Sequence, residues 1–214
     1  NWRKLWGSGM GQQNIIVCAY YTPDYAVTAA QLKETLAQYH LRMHLEEIPA
    51  VSNWEAGTRY KPEFILKCLR SFPELNILYL DADARVRSSL SELENMRGDI
   101  ALHFRPMIKG GRQILRPCAG TVYVRNNAAG YQFAEAWYSE ATIANPEDVD
   151  EDCLMRAFTK LSGVTFTQLP ETYCRIFDRK EVFGQPIIEH MQASRGKKRL
   201  RQRGVRSLLR FFPF

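Results

Sequence analysis

The chain has 214 residues, 45% hydrophobic and 24% charged, with a formal net charge of +6. That is enough apolar chain for one sizeable core, so a single globular domain is expected rather than a disordered or fibrous protein. No apolar run approaches the ~20 residues that cross a bilayer, and no signal-peptide pattern opens the chain, so a cytoplasmic protein with no membrane span is expected.

The charge is segregated. Arg195–Phe214 carries eight Lys or Arg residues and no acid, a block of +8 that leaves residues 1–194 at −2. A mildly acidic body with a strongly basic tail points to a polyanionic partner, either nucleic acid or an anionic membrane surface, unless the tail is simply solvated. Asn1–Gly11 reads as a leader or added segment ahead of the domain, with Gly7–Ser8–Gly9 before a natural start at Met10. The five cysteines, Cys18, Cys68, Cys118, Cys153 and Cys174, are odd in number and scattered. They fit neither a zinc knuckle nor a disulfide framework, and buried free thiols in a reducing compartment are predicted.

In chain order, Asn14–Ala19 (NIIVCA) is continuous in apolar residues and predicts a central strand of a parallel sheet. A turn at Thr22–Pro23–Asp24 leads to a helix over Val27–His40, then a strand over His44–Ile48 and a helix over Lys61–Phe72. Asn76–Leu80 (NILYL) predicts a buried strand, Ser89–Asn95 a short helix and Asp99–Phe104 a strand. Met107–Arg116, Gly-containing and basic without periodicity, reads as a loop. Thr121–Arg125 alternates as a strand, and Ala129–Ile143 and Val149–Lys160 are helical. Val164–Leu169, Tyr173–Phe177 and Pro186–His190 are short strands. The pattern βαβαβ followed by mixed elements predicts an α/β domain, a Rossmann-like mixed sheet flanked by helices.

The most informative stretch is Asn76–Val86, where the apolar strand ends abruptly in Asp81 and Asp83. If the chain stays extended past the strand end, residues i and i+2 project to the same side. Two carboxylates at the carboxyl edge of a strand suit a hard divalent cation, and open α/β sheets bind ligands at that edge. A turn in which the aspartates cap backbone amides has the same sequence.

With that motif, the order of segments resembles the glycosyltransferases of the GT-A fold. The likeness is to the glycogenin and lipopolysaccharide-galactosyltransferase type of nucleotide-diphospho-sugar transferase, and it runs from about Asn14 to Arg195. The resemblance implies a GT-A domain over residues 12–194, followed by the basic tail 195–214. It also implies that the loop Ala19–Tyr20–Tyr21–Thr22 holds the nucleotide. Tyr20 or Tyr21 would stack on a uracil ring, one tyrosine would pack in the core, and Asp24 stands at a shifted position for the family's acidic residue. Lys61 matches a lysine that faces the donor. Cys118–Ala119–Gly120 resembles an Asn-Ala-Gly segment, with Cys118 in place of the usual Asn, and Gly120 lets the sugar approach backbone.

Asp148–Leu154 is similar to the family's Asp-Gln-x-x-Leu helix start. The resemblance places Asp150 or Glu151 near the anomeric carbon, with Asp152 the weaker choice, although carboxylates at a helix N-terminus also have a structural explanation. His190, after Pro186–Glu189, matches a third metal ligand beside Asp81 and Asp83. Arg195 and Lys197 stand where the diphosphate is bound, though the family's Gly-Pro-x-Lys-Pro-Trp ending is absent. The implied cofactor is Mn²⁺ (or Mg²⁺), the implied donor a nucleotide sugar such as a UDP-sugar, and the implied outcome retention of anomeric configuration.

Rival assignments fit less well. A haloacid-dehalogenase-like phosphatase carries Asp-x-Asp after its first strand, not its third. A nucleotidyltransferase would need a Gly-rich loop where Tyr20–Asp24 has no glycine. A non-catalytic nucleic-acid-binding protein built on the basic tail would show salt-sensitive binding and no metal site. For the acceptor, the arginines of the tail favour a modified base in DNA. Leu208–Leu209 and Phe211–Phe212 beside arginines offer the alternative of a membrane-associated glycan.

Overall fold

The computed structural model describes residues 14–179 and 184–194. Strand β1 (Ile15–Tyr21) leads through a 3₁₀ turn, Pro23–Tyr25, into helix α1 (Ala26–Gln38) and strand β2 (Met43–Glu47). Helices α2 (Trp54–Arg59) and α3 (Lys61–Ser71) precede strand β3 (Asn76–Leu80) and the short strand β4 (Ala84–Val86). After α4 (Ser91–Glu94) come the long strands β5 (Ile100–Lys109) and β6 (Arg112–Val124), then α5 (Ala128–Thr142) and α6 (Asp150–Phe158). Strands β7 (Phe166–Gln168), β8 (Arg175–Ile176) and β9 (Ile188–His190) close the described chain.

The main sheet has six strands in the order β2-β1-β3-β6-β5-β7. β1 pairs in parallel with β2 and β3, and β5 with β7, while β6 runs antiparallel to both β3 and β5. The mixed α/β sheet expected from the sequence is therefore present, with the reversed strand in its far half.

The residues explain the layers. Along β1, Ile16 and Cys18 join a core with Phe64, Leu69, Phe133 and Trp137, beneath α3, α5 and α6. Ile15, Val17 and Ala19 join a second core with Leu32, Leu36, Leu80 and Leu93, beneath α1 and α4. A strand covered on both faces has no polar side to show, so it reads as an unbroken apolar run. All five cysteines are free and buried, as expected for small apolar side chains, and Cys18, Cys68 and Cys153 lie in the first of these cores.

Three features depart from the sequence reading. Met107–Arg116 is not a loop: β5 and β6 pair out to Lys109 and Arg112 and turn at Gly110–Gly111. Both glycines have positive φ (57° and 76°), which a two-residue hairpin turn needs and other residues resist. Ile108 and Leu115 are exposed on this arm, so its strands lack the alternation that burial imposes. Helix α2 was not anticipated, although Asn53 caps it by accepting a 2.7 Å hydrogen bond from the Ala56 amide. β4 forms only by pairing with β9, and with β8 the two make a second, three-stranded sheet. The boundaries of the leader and tail segments fall outside the described residues.

One close approach sets a strict size limit. At Gly130, in the first turn of α5, an added Cβ would lie 1.9 Å from the Arg125 carbonyl oxygen and 3.0 Å from Val124 Cγ1. Backbone cannot yield as a side chain would. Gly130→Ala should therefore destabilise the fold by about 3 kcal/mol, the upper end of ordinary overpacking, as read from a lowered midpoint in urea unfolding.

Candidate active site

The site forms where β3 ends. The Asp81 amide donates to Gly120 O of β6 (2.9 Å), and the Ala84 amide donates back to Asp81 O (2.9 Å). Asp81–Ala84 is thus a tight turn, not the extended segment assumed from the sequence, and the turn itself swings Asp83 beside Asp81. The register of β4 against β9 pairs Ala84 with His190 and delivers the third side chain. Asp81, Asp83 and His190 each offer a ligand atom, all within 4.8 Å of one another.

Hydrogen bonds orient each member. Asp81 Oδ1 accepts from Tyr79 Oη (3.0 Å) and lies 2.9 Å from Lys61 Nζ, while its Oδ2 faces Gly120. Asp83 Oδ2 accepts from the Ala193 amide (2.9 Å), and its Oδ1 lies 3.6 Å from His190 Nδ1. His190 Nε2 is 2.9 Å from Thr121 Oγ1. Each aspartate therefore has one oxygen held by protein and one turned inward, and His190 turns Nδ1 inward while Thr121 engages its far nitrogen. A ligating histidine needs that far partner to fix its ring and tautomer. The donor set, two carboxylates and one imidazole, fits Mn²⁺ or Mg²⁺. Burial works against the charge of Asp83, but the His190 ring and the Ala193 amide hold its carboxyl below the usual aspartate range.

Lys61 opens α3 and is buried, at 3% exposure. Its ammonium pairs with Asp150 and Asp81 and donates to Ala119 O (3.1 Å). Burial alone would lower its pKa; Asp150 and Asp81 overcome this and hold it well above the ordinary lysine value. The unfavourable placement of a cation at a helix start is thus offset by protein carboxylates. Asp150, the first residue of α6, is buried, and its carboxyl is pushed up to about 6 by desolvation, with Lys61 opposing.

The remaining predicted site residues are distributed as follows. Glu151 pairs with Arg116, and with Arg105 at 3.7 Å. Asp152 pairs with Arg116 (3.0 Å) and accepts from the Val149 amide, so it caps α6. Ala19 is buried in the core. Tyr20 donates its hydroxyl to Gly57 O (2.7 Å) and packs edge-on against Tyr60 and Phe64, which makes it the core tyrosine of the pair. Tyr21 and Thr22 are half-buried at the strand end, and the Thr22 hydroxyl donates to Asp24. Arg195 and Lys197 lie outside the described residues. At Gly120, a Cβ would meet His190 Cε1 at 2.8 Å and Asp81 Oδ2 at 3.1 Å. Its missing side chain makes room for the His190 ring. Tyr79, Thr121, Arg105 and Arg116 were not singled out from the sequence; Arg116 lay in the segment read as a loop, and Arg105 just ahead of it.

No protein-family model and no curated protein sequence matches the chain. Solved structures do. A glycosyltransferase involved in the glycosylation of the major capsid of PBCV-1 superposes with a TM-score of 0.64 at 15% identity, over 84% of this chain and 93% of that one. The galactosyltransferase LgtC, solved with donor and acceptor sugar analogs, gives 0.52 at 10% identity, over 83% of this chain and 87% of that one. The glycosyltransferase GlyE of Streptococcus pneumoniae TIGR4 gives 0.55 at 16% identity, and this chain spans 54% of its length. The chain has a glycosyltransferase fold. Within it, the Asp81–Asp83 turn and His190 stand at the carboxyl edge of the parallel strands, where open α/β sheets bind ligands.

Two variants probe this geometry. Gly120→Ala should leave the fold cooperative but displace His190, weakening Mn²⁺ binding about tenfold in calorimetric titration; loss of a metal-orienting contact has this scale. Lys61→Met leaves Asp81 and Asp150 without their buried counter-ion and should cost about 3–5 kcal/mol at pH 8. Its pH dependence has a definite sign. Without Lys61 the folded pKa of Asp150 rises above about 6. An acid raised in the folded state favours folding when protonated, and that contribution is lost as pH rises through the folded pKa. The deficit in unfolding free energy should therefore be smaller at pH 5 than at pH 8.

Proposed function

We propose that this protein is a metal-dependent glycosyltransferase that moves a sugar from a nucleoside-diphosphate sugar to an acceptor. The observation that carries this reading is the convergence of Asp81, Asp83 and His190 beside the Lys61–Asp150 pair, at the ligand-binding edge of a glycosyltransferase fold. In this reading Asp81 and Asp83 each give one oxygen, and His190 gives Nδ1, to Mn²⁺ (or Mg²⁺). When bound, the ion supplies a Lewis acid for the negative charge that develops on the departing diphosphate.

The chain's own residues hold and shape the site. Lys61 fixes the Asp81 carboxylate from behind, and Asp150 fixes Lys61. Thr121 and Gly120 set the ring plane of His190. Tyr21 and Thr22, with Tyr20 engaged in the core, are the side chains offered to a uracil base and its ribose. Glu151, held by Arg105 and Arg116, is the carboxylate proposed nearest the transferred sugar. Arg195 and Lys197 complete the proposal as diphosphate partners. Retention of configuration, which requires no strong general base, is part of the proposal. Five unpaired cysteines support a cytoplasmic setting.

The acceptor is proposed to be a modified base in DNA, drawn by the +8 tail. The apolar pairs in the same tail, and the roles of the PBCV-1 enzyme in capsid glycosylation and of LgtC as a galactosyltransferase, favour a membrane-associated or other glycan as the second reading. A mass-spectrometric transfer assay tests both, pairing UDP-sugars with hydroxymethylated DNA and with glycan acceptors. Wild type with Mn²⁺ should transfer, and Asp81→Asn or Asp83→Asn should lose about 100-fold or more, the scale for removing a main source of charge stabilisation. Full activity in either variant, or in excess chelator, would overturn the assignment.

A further inference from the structure

A cavity of about 440 Å³ lies beside the metal-ligand set, bounded by α1, β4 and the residues that follow β9. Its lining brings Gln31 and Thr35 of α1 together with Arg85 of β4, Arg87, Met191 and Ala193. Asp83 is its neighbour, since Met191 and Ala193 both donate their amides to that residue. Asp83 turns its carboxylate to His190, however, and is not part of the lining.

The unusual member is Arg85. It is 8% exposed, yet its guanidinium is matched by neutral groups: Nη1 donates to Ala84 O (2.6 Å) and Nη2 to the Gln31 carboxamide oxygen. Among the described residues, no carboxylate comes within ion-pairing distance of it. Burying a guanidinium costs several kcal/mol unless an anion compensates, and here the direct partners are dipoles, with Asp83 and Glu34 acting on it only from beyond ion-pair distance. Arg87, beside it, presents a second guanidinium, held in place by Nε and Nη2 contacts of 3.0 and 2.7 Å to Glu189. With its oxygen committed to Arg85, Gln31 keeps an amide NH₂ donor. Glu34 is the carboxylate in the lining, and it is exposed on α1, where water screens it far more than a buried group.

We propose that this cavity is an oxyanion site, separate from the metal set, that takes a phosphate-class group through Arg85, with Arg87 and Gln31 as supporting donors. Planar guanidinium groups match the oxygen geometry of phosphate, and a cation already desolvated in the fold gains more from an anion than a solvated lysine would. The inference does not rest on the donor-site reading, because none of the residues used belongs to that site.

The test is calorimetric titration of the full chain, in chelator, with inorganic phosphate and with a simple phosphomonoester such as glycerol phosphate. Saturable, metal-independent binding is expected, reduced about tenfold or more in Arg85→Gln by loss of a charge-assisted contact. Glu34→Gln should tighten it by removing a rim charge of the wrong sign, and this variant decides the matter if Arg85→Gln does not fold. Asp81→Asn and Asp83→Asn should abolish Mn²⁺ binding while leaving phosphate binding intact. Phosphate without the ester would mark a site for the free ion; both ligands would mark a phosphoryl group on a larger molecule. The proposal is overturned if neither ligand binds, if Glu34→Gln leaves affinity unchanged, or if binding vanishes with Asp83→Asn instead. Failure of the glycosyltransferase assignment would look different, with phosphate bound and no transfer.

Discussion

The buried ammonium of Lys61 is the contact on which the rest of the site depends. It ties four elements at one point: the start of α3, the turn after β3 through Asp81, the start of α6 through Asp150, and β6 through Ala119 O. Remove it, and the buried Asp150 and the part-exposed Asp81 lose their shared cation. The Asp150 carboxylate could then not stay ionised at low cost. The positions of Asp81 and of the α6 N-terminus are therefore consequences of one cation, and they are set before any ligand arrives. Trp137 reinforces the same junction by donating its indole N–H to Asp150 O (3.1 Å), which carries the rigidity of the core up to the site.

His190 arrives by a different route. β4 and β9 are each three residues long, too short to be stable alone, and they stand only because they pair with each other and with β8. The pairing places His190 opposite Ala84, one residue past Asp83. The metal set is thus assembled from a local turn and a long-range strand pair. One half belongs to the main sheet and the other to the small sheet, and Gly120 supplies the gap in which they meet.

This division explains what was legible in the sequence. β1, β3, α3 and α5 bury wide apolar faces, and burial writes periodicity into a chain, so these elements and the mixed α/β class could be read directly. Asp81 and Asp83 stood out because two acids interrupt an apolar strand. The sense in which they converge did not, since the sequence of a turn and that of an extended edge are the same here. The β5–β6 arm was lost because its outer strands bury no continuous face, although Gly110–Gly111 between Ile108 and Gln113 was a usable hairpin signal. Arg116 and Arg105 went unnoticed with it. Lys61 was expected to face the donor; that it is buried and doubly paired follows from contacts 20 and 89 residues away in the chain, to Asp81 and Asp150, which no local pattern encodes.

The charges around the site close in a way that neither sequence nor any single contact reveals. The acids that open α6 divide into two sets. Glu151 and Asp152 are answered by Arg116, with Arg105 close by, so the mouth of the site is near neutral. Asp150 faces inward with Asp81 and Asp83, and Lys61 is the cation among them. Burial pushes the Asp150 carboxyl up to about 6, with Lys61 opposing, so three acidic side chains stand around one ammonium. A divalent cation among Asp81, Asp83 and His190 would answer that excess of acids. The excess of acids over cations at this point is therefore a property of the scaffold, and it falls by one charge when Asp150 takes up its proton.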